Sequence, residues 1–215
     1  MSNPRYENIK RVMQHRQKDV AVLLESVHKA HNVSAIMRTC DAVGVSQLAW
    51  VAHADENFPT SGHVAAGSNR WIETHDFEKT DAAIEHMKVQ DMTVYCAHFD
   101  DNAIPYREAD YTKPCCIMMG AERIGVSQHA ASLCDQSIII PMHGMVGSLN
   151  VSVACALILY EMERQRTAAG MYVPQAFDVN DKQLFEWLYP KVARRCRGKQ
   201  LPYPPLDELG EIITK

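Results

Sequence analysis

No G-x-G occurs anywhere in the 215 residues, and there is no Walker loop. The first absence removes the fingerprint by which dinucleotide-binding folds turn a strand into a helix over a pyrophosphate, and with it the similar glycine loop of ordinary Rossmann methyltransferases. The second removes P-loop nucleotide hydrolysis. There is also no C-x-x-C: the seven cysteines, at 40, 96, 115, 116, 134, 155 and 196, are scattered, mostly in apolar runs. They read as reduced core thiols, not as disulfides or zinc ligands. His28 and His31 have no matching second pair, so no metal is expected. The apolar run at 149–160 is twelve residues long, where a bilayer needs roughly 20. Neither a signal peptide nor a long apolar stretch opens the chain. The expectation is a cytoplasmic protein, without membrane contact, built as one ordinary domain with extensions.

The net charge of −4 argues by itself against a nucleic-acid partner, but its distribution does not. Residues 1–20 hold five bases against two acids, residues 191–199 hold five bases and no acid, and 21–190 carry a net −10. Basic ends on an acidic body suit arms for a polyanion, since phosphate contacts supply most non-specific nucleic-acid affinity. A solvated charged face is the alternative.

Hydrophobic periodicity and breakers give an alternating order of elements. A short basic helix over 4–18 is followed by a buried strand over 20–27 and a turn at 28–31. Asn32 then stands as the N-cap of a helix that runs to Val43 and is stopped by Gly44. Val33, Ile36, Met37, Cys40 and Val43 form its core stripe, and Arg38, turned about 200° from Ile36, points away from it. A strand over 47–52 leads into a polar loop over 53–69, long enough to imply function or mobility. Strands over 71–74, 92–98 and 114–119, a helix over 80–90, a polar turn at 100–102 and an ill-defined segment from there to Lys113 come next. After Met119 stands Gly120-Ala121-Glu122-Arg123-Ile124-Gly125, and Ser127 caps a helix to Leu133. The stretch 137–161 organises the rest: a strand turns at Pro141 through two glycines into a helix whose first turn carries Ser148, Asn150 and Ser152. Such a helix start aims free N–H groups into the preceding loop. The helix is apolar on nearly every face and needs cover all round from protein.

Strands and helices in alternation predict an α/β fold, a mostly parallel sheet with helices on both faces. Ligands then bind beyond the carboxyl ends of the strands. That rule selects Asn32, 97–101, 120–125 and 142–150.

Four segments at these places, Asn32-x5-Arg38, Gly120-Ala-Glu122-x-x-Gly125, Ile138-Ile-Ile-Pro141-Met and Gly144-x-x-x-Ser148-Leu-Asn150-Val-Ser-x-Ala, resemble the three motifs of the SPOUT methyltransferases, in particular the TrmH branch. The resemblance runs from Arg5 to about Tyr172. It implies a C-terminal trefoil knot, an exception to unknotted chain connections, and short N- and C-terminal helical extensions over 1–19 and 171–215 around a methyltransferase domain over 20–170. It implies S-adenosylmethionine held mainly by backbone groups at Ala97, Gly120, Ile140 and Leu149, with Met119 and Met145 nearby. Relatives often carry a hydroxyl at position 97, which this chain lacks. It implies a homodimer, with the 149–160 helix in the interface, that methylates the ribose 2′-hydroxyl of guanosine 18 in the D-loop of tRNA. Ribosomal RNA as substrate, or a non-catalytic RNA-binding chaperone on the same fold, are the alternatives.

The roles carried over are Arg38 holding the hydroxyl or the adjacent phosphate, from its own or the partner's subunit, and Asn32 orienting it. Glu122 serves the base edge or fixes its loop, and Ser148 and Asn150 hold the ribose or close the loop. For Asn32, Ser148 and Asn150 simple N-capping competes with these roles. Arg5, Arg11 and Arg16 would form one RNA-contacting face. Lys191, Arg194, Arg195, Arg197 and Lys199, after the aromatic residues Phe185, Trp187 and Tyr189, would form another.

Overall fold

The structure, a computed structural model, describes residues 4–51, 72–122, 124–177 and 181, the side chains of 4–6 excepted. It divides into two compact units, Gln17–Met171 and Met1–Arg16 with Tyr172–Lys215. The expected loop at 53–69 and the basic stretch at 191–199 lie outside the described residues.

In the larger unit one sheet takes β1 (Gln17–Glu25), β2 (Val45–Val51), β3 (Glu73–Phe77), β4 (Thr93–Ala97), β5 (Ile104–Pro105), β6 (Cys115–Met119) and β7 (Gln136–Ile139) in the order β3-β2-β1-β6-β4-β7-β5. Every pairing is parallel. Alternation along the strands feeds two cores. Val20, Val22 and Leu24 of β1, with Cys115, Ile117 and Met119 of β6, face α2 (Ala30–Ala42) and α5 (Val151–Ala168). Ala21, Leu23, Cys116 and Met118 face α3 (Thr80–Lys88) and α4 (Gln128–Leu133). A slip of one residue would exchange the two sets, so the register is strongly fixed.

Four differences between sequence and structure matter most in the larger unit, besides a β3 that lies at 73–77 and not at 71–74. First, β1 starts at Gln17, not Val20, because Arg166 from the end of α5 lies fully buried and donates to Gln17 Oε1 (3.0 Å) and to both oxygens of Asp19 (2.7 and 3.0 Å). That guanidinium also reaches the carbonyls of Tyr111 (2.7 Å) and Lys113 (3.0 Å). Second, the segment from the turn at 100–102 to Lys113 is well defined. Tyr106 N–H joins Ile139 O (2.8 Å), and Tyr111, with no exposure, sits edge-on to Tyr95 at 5.4 Å. Third, α2 begins at Ala30 with Lys29 as its N-cap residue, so Asn32 is a buried residue of the first turn and caps nothing. Fourth, α5 begins at Val151. Asn150 is its N-cap, accepting from Ser152 N (2.9 Å), and Ser148 and Leu149 precede the helix.

Other expectations hold. Val33, Ile36, Met37, Cys40 and Val43 are all buried, and Gly44 takes φ +77° past the end of α2. Ser127 caps α4 by accepting from Ala130 N (3.1 Å). Cys40, Cys96, Cys115, Cys116 and Cys155 are free and buried, and burial pushes the Cys115 and Cys155 thiols up to about 12. In the smaller unit α1 (Pro4–Gln14) ends earlier than expected, Gln175 N donates to Gln14 O (2.9 Å), and Arg16 pairs with Asp181 at 3.8 Å.

Candidate active site

β6, β4 and β7 are neighbours in the sheet, and their carboxyl ends open into a cavity of about 680 Å³. Its walls are largely apolar, from Ala97, Met119, Ile138, Ile140, Leu149, Val151, Ala154 and Ile158, and its polar groups include His98, Glu122 and Ser148. Three stretches contribute to the lining: within 120–125 after β6, 138–142 at the end of β7, and 147–149 before α5. An apolar cleft with a few convergent polar groups is the usual form of a small-molecule site.

The glycine loop is shaped by one close approach. A Cβ on Gly120 would lie 2.0 Å from the carbonyl carbon of Gly125 and 2.1 Å from Val126 N, so only glycine lets the two ends of the loop touch. Gly125, at φ +73°, donates its N–H to Ala121 O at 2.7 Å and closes the turn. Both glycines therefore have a backbone reason to be there.

Beside the cavity runs a polar chain with a fixed direction. Asn150 Oδ1 accepts from Ser152 N (2.9 Å) and Ser152 Oγ (2.5 Å), leaving its amide nitrogen to donate to Asn32 Oδ1 (3.2 Å). Asn32 Nδ2 then donates to Glu122 Oε1, and Lys29 Nζ pairs with Glu122 Oε2. A backbone N–H cannot accept, so the amide orientations follow from the anchor at Ser152. At the end of β4, Asp100 accepts from Ser137 Oγ and, at 2.8 Å, from Asn102 N, which holds its carboxyl below the ordinary value, the Ser137 bond first.

The structure thus gathers Ala97, Met119, Gly120, Ile140, Leu149, Glu122 and Ser148 at the cavity, with Asn32 and Asn150 linked to Glu122. Met145 is fully exposed and does not line it. Arg38 is exposed on α2, outside the lining, and among the described residues its guanidinium has no partner. Arg11 is exposed, whereas Arg16 is only 11 % exposed at its side chain and faces Asp181. Charge counting could not foresee that partner 165 positions away. The side chain of Arg5, and Lys191, Arg194, Arg195, Arg197 and Lys199, lie outside the described residues. Lys29 escaped the sequence reading, since a lysine before a helix start carries no signal until Glu122 is beside it.

Comparison with known proteins agrees with this geometry. Residues 19–160 match the SpoU rRNA Methylase family, and 164–215 match the family described as SpoU, rRNA methylase, C-terminal. The tRNA (guanosine(18)-2'-O)-methyltransferase of Escherichia coli (strain K12) is 47 % identical over 99 % of this chain and 94 % of its own length. The solved A. aeolicus TrmH/SpoU tRNA modifying enzyme superposes with a TM-score of 0.80 at 35 % identity, over 87 % of this chain and 96 % of that one. The SpoU methyltransferase AviRb from Streptomyces viridochromogenes, solved in complex with the cofactor AdoMet, gives 0.62 at 27 %, over 71 % and 60 %. With a sheet of the same architecture and the motif loops gathered at one cavity, the chain belongs to the SpoU methylase family and has the SPOUT fold.

Proposed function

We propose that the protein transfers a methyl group from S-adenosylmethionine to the ribose 2′-hydroxyl of guanosine 18 in the D-loop of tRNA. The observation that carries this reading is the meeting, at one cavity, of the glycine loop, the 147–149 loop and the polar chain from Asn150 to Glu122. When bound, S-adenosylmethionine supplies a sulfonium methyl that needs no further activation. Ala97, Gly120, Ile140 and Leu149 would hold it, and a mainly apolar lining that includes Gly120, Gly125 and Gly147 fits a nucleoside-like molecule with few charged contacts. The C-terminal trefoil knot of the family is part of the proposal.

The protein's own task is then to align a poor nucleophile and give its proton a way out. Arg38, a permanent donor, suits holding the hydroxyl or its phosphate and developing oxyanion charge. Its exposure favours action in the site of a second copy. Homodimerisation is supported by α5, whose Val153, Leu157 and Tyr160 form an exposed apolar stripe at helical spacing (47 %, 39 % and 54 %). Arg5 and Arg11 on α1, with the bases at 191–199, would hold RNA phosphates, and a tRNA substrate implies work in the cytoplasm. A second reading, ribosomal RNA, has the family's own description in its favour. Tritiated methyl transfer to unmodified tRNA and to ribosomal RNA, followed by nuclease mapping, separates them. Label at the ribose of guanosine 18 is expected; label only in ribosomal RNA, or none, refutes the proposal and in the latter case favours a non-catalytic RNA binder.

A further inference from the structure

Glu25, the last residue of β1, is a buried carboxylate that the proposed reaction does not use. It accepts from Ser127 N (2.7 Å), Ser127 Oγ (2.8 Å) and Thr80 Oγ1 (3.1 Å), so it binds the starts of α4 and α3 to the end of β1. β1 and β6 pair as far as Leu24 opposite Met119, and the glycine loop leaves β6 at Gly120 and ends at Ser127. Two segments therefore face each other, 25–32 and 120–127, and each grips the other with one glutamate. Glu122 of the second takes Lys29 and Asn32 of the first, and Glu25 of the first takes Ser127 of the second. Glu122 lines the cavity, while Glu25 does not.

We propose that Glu25 is a positioning residue: by holding Ser127 it keeps Gly125 and Val126 against Gly120, and so sets the glycine-loop wall of the cofactor cavity. The clearance there leaves no slack, since the space of a Cβ on Gly120 is already taken by Gly125 and Val126 backbone. The reciprocal arrangement also couples that wall to Asn32, because a shift of Ser127 moves the same short loop that carries Glu122. A buried carboxylate accepting three neutral donors is the group suited to this, as a carboxylate offers only acceptors and hydrogen bonds to charged groups are the stronger kind.

The inference rests on the methyltransferase reading through its readout, the dissociation constant of S-adenosylmethionine measured calorimetrically well below the melting midpoint of each variant. In Glu25→Gln one oxygen becomes a donor facing Ser127 or Thr80, and the constant is expected to rise about tenfold or more. Ser127→Ala should weaken binding less, and the double variant should be no worse than Glu25→Gln alone, because the two act through one contact. A merely structural role would lower the midpoint of Glu25→Gln and leave the constant unchanged. That outcome, or additive effects in the double variant, overturns the proposal. If the parent protein itself binds no S-adenosylmethionine, the methyltransferase reading fails first and this role falls with it.

Discussion

Replacing Gly120 by alanine adds a single methyl group to the wall of the proposed cofactor site. The new Cβ would stand 2.0 Å from Gly125 C, 2.1 Å from Gly125 O and 2.1 Å from Val126 N, where ordinary contact begins at 3.4 Å. Backbone must therefore retreat by about 1.4 Å. β6 cannot supply the movement cheaply, since it is paired on one side with β1 and on the other with β4. The loop over 121–126 has to move, and the Gly125–Ala121 hydrogen bond at 2.7 Å goes with it. Overpacking of this kind costs about 1–3 kcal/mol of stability, and a displacement of about 1 Å beside the reacting atoms lowers turnover by about 100-fold. Urea unfolding, calorimetric cofactor binding and tritiated methyl transfer measure the three consequences. Gly144→Ala is the control, because a Cβ there meets nothing within 4 Å and its φ is not in the left-handed range. A Gly120→Ala protein with an unchanged urea midpoint and a cofactor dissociation constant within about threefold of the parent would refute the reasoning.

Arg38→Ala should abolish methyl transfer with cofactor binding nearly intact, and mixed dimers of this variant with a cofactor-site variant such as Gly120→Ala should regain activity if the arginine serves the partner's site; turnover surviving at about a tenth of the parent would remove its assigned role. Arg166→Ala leaves Asp19 and Gln17 without their donor in a buried site, and should cost about 3–5 kcal/mol, toward the lower end because Asp19 keeps 39 % of its side chain in water; chemical denaturation reads it directly. Leu157→Glu on the exposed stripe of α5 should convert the proposed homodimer to monomer in light scattering after gel filtration, without unfolding it. For Asp100, the depressed carboxyl pKa means that its contribution to stability is complete above the unfolded value near 3.8 and is lost as pH falls through the lower folded value. Asp100→Asn should therefore remove that contribution at neutral pH and flatten the stability curve below about pH 4, as melting in a pH series would detect.

Most of the sheet was legible because its signals are local. Four of the strands, at 17–25, 45–51, 93–97 and 115–119, are runs buried on both faces, and Ser127, Gly44 and Gly125 punctuate the chain by capping and turn chemistry that needs no distant partner. The glycine loop was legible for the same reason, since its two glycines meet each other five positions apart. What could not be read was set by contacts across the chain. Asn32 has the composition of an N-cap, yet its side chain is drawn to Glu122 ninety positions later, and the helix starts two residues earlier with no side-chain cap. Polar residues 17 and 18 read as the end of the basic helix over 4–18 until Arg166 arrives from 147 positions away to pair with Asp19 and draws them into β1. Tyr111 turned an unpromising loop into core by covering Tyr95, a packing fact that no propensity encodes.

The fixed direction of the polar chain limits what the site does with a proton. Ser152 N–H must be accepted by Asn150 Oδ1, so each amide in turn presents nitrogen forward, and the chain ends on a group that can only accept. Glu122 meets that condition as a carboxylate, and its two oxygens already take Asn32 and Lys29. Those contacts take one acceptor position on each oxygen and hold the carboxylate in place. Arg38 has no lone pair to offer. Arg38 is therefore not suited to strip the ribose hydroxyl in advance. The arrangement is consistent with catalysis by alignment, with the proton released to phosphate or water once the carbon–oxygen bond has begun to form. On this reading Glu122 serves by position: it pairs with Lys29 and fixes Asn32 from within the glycine loop.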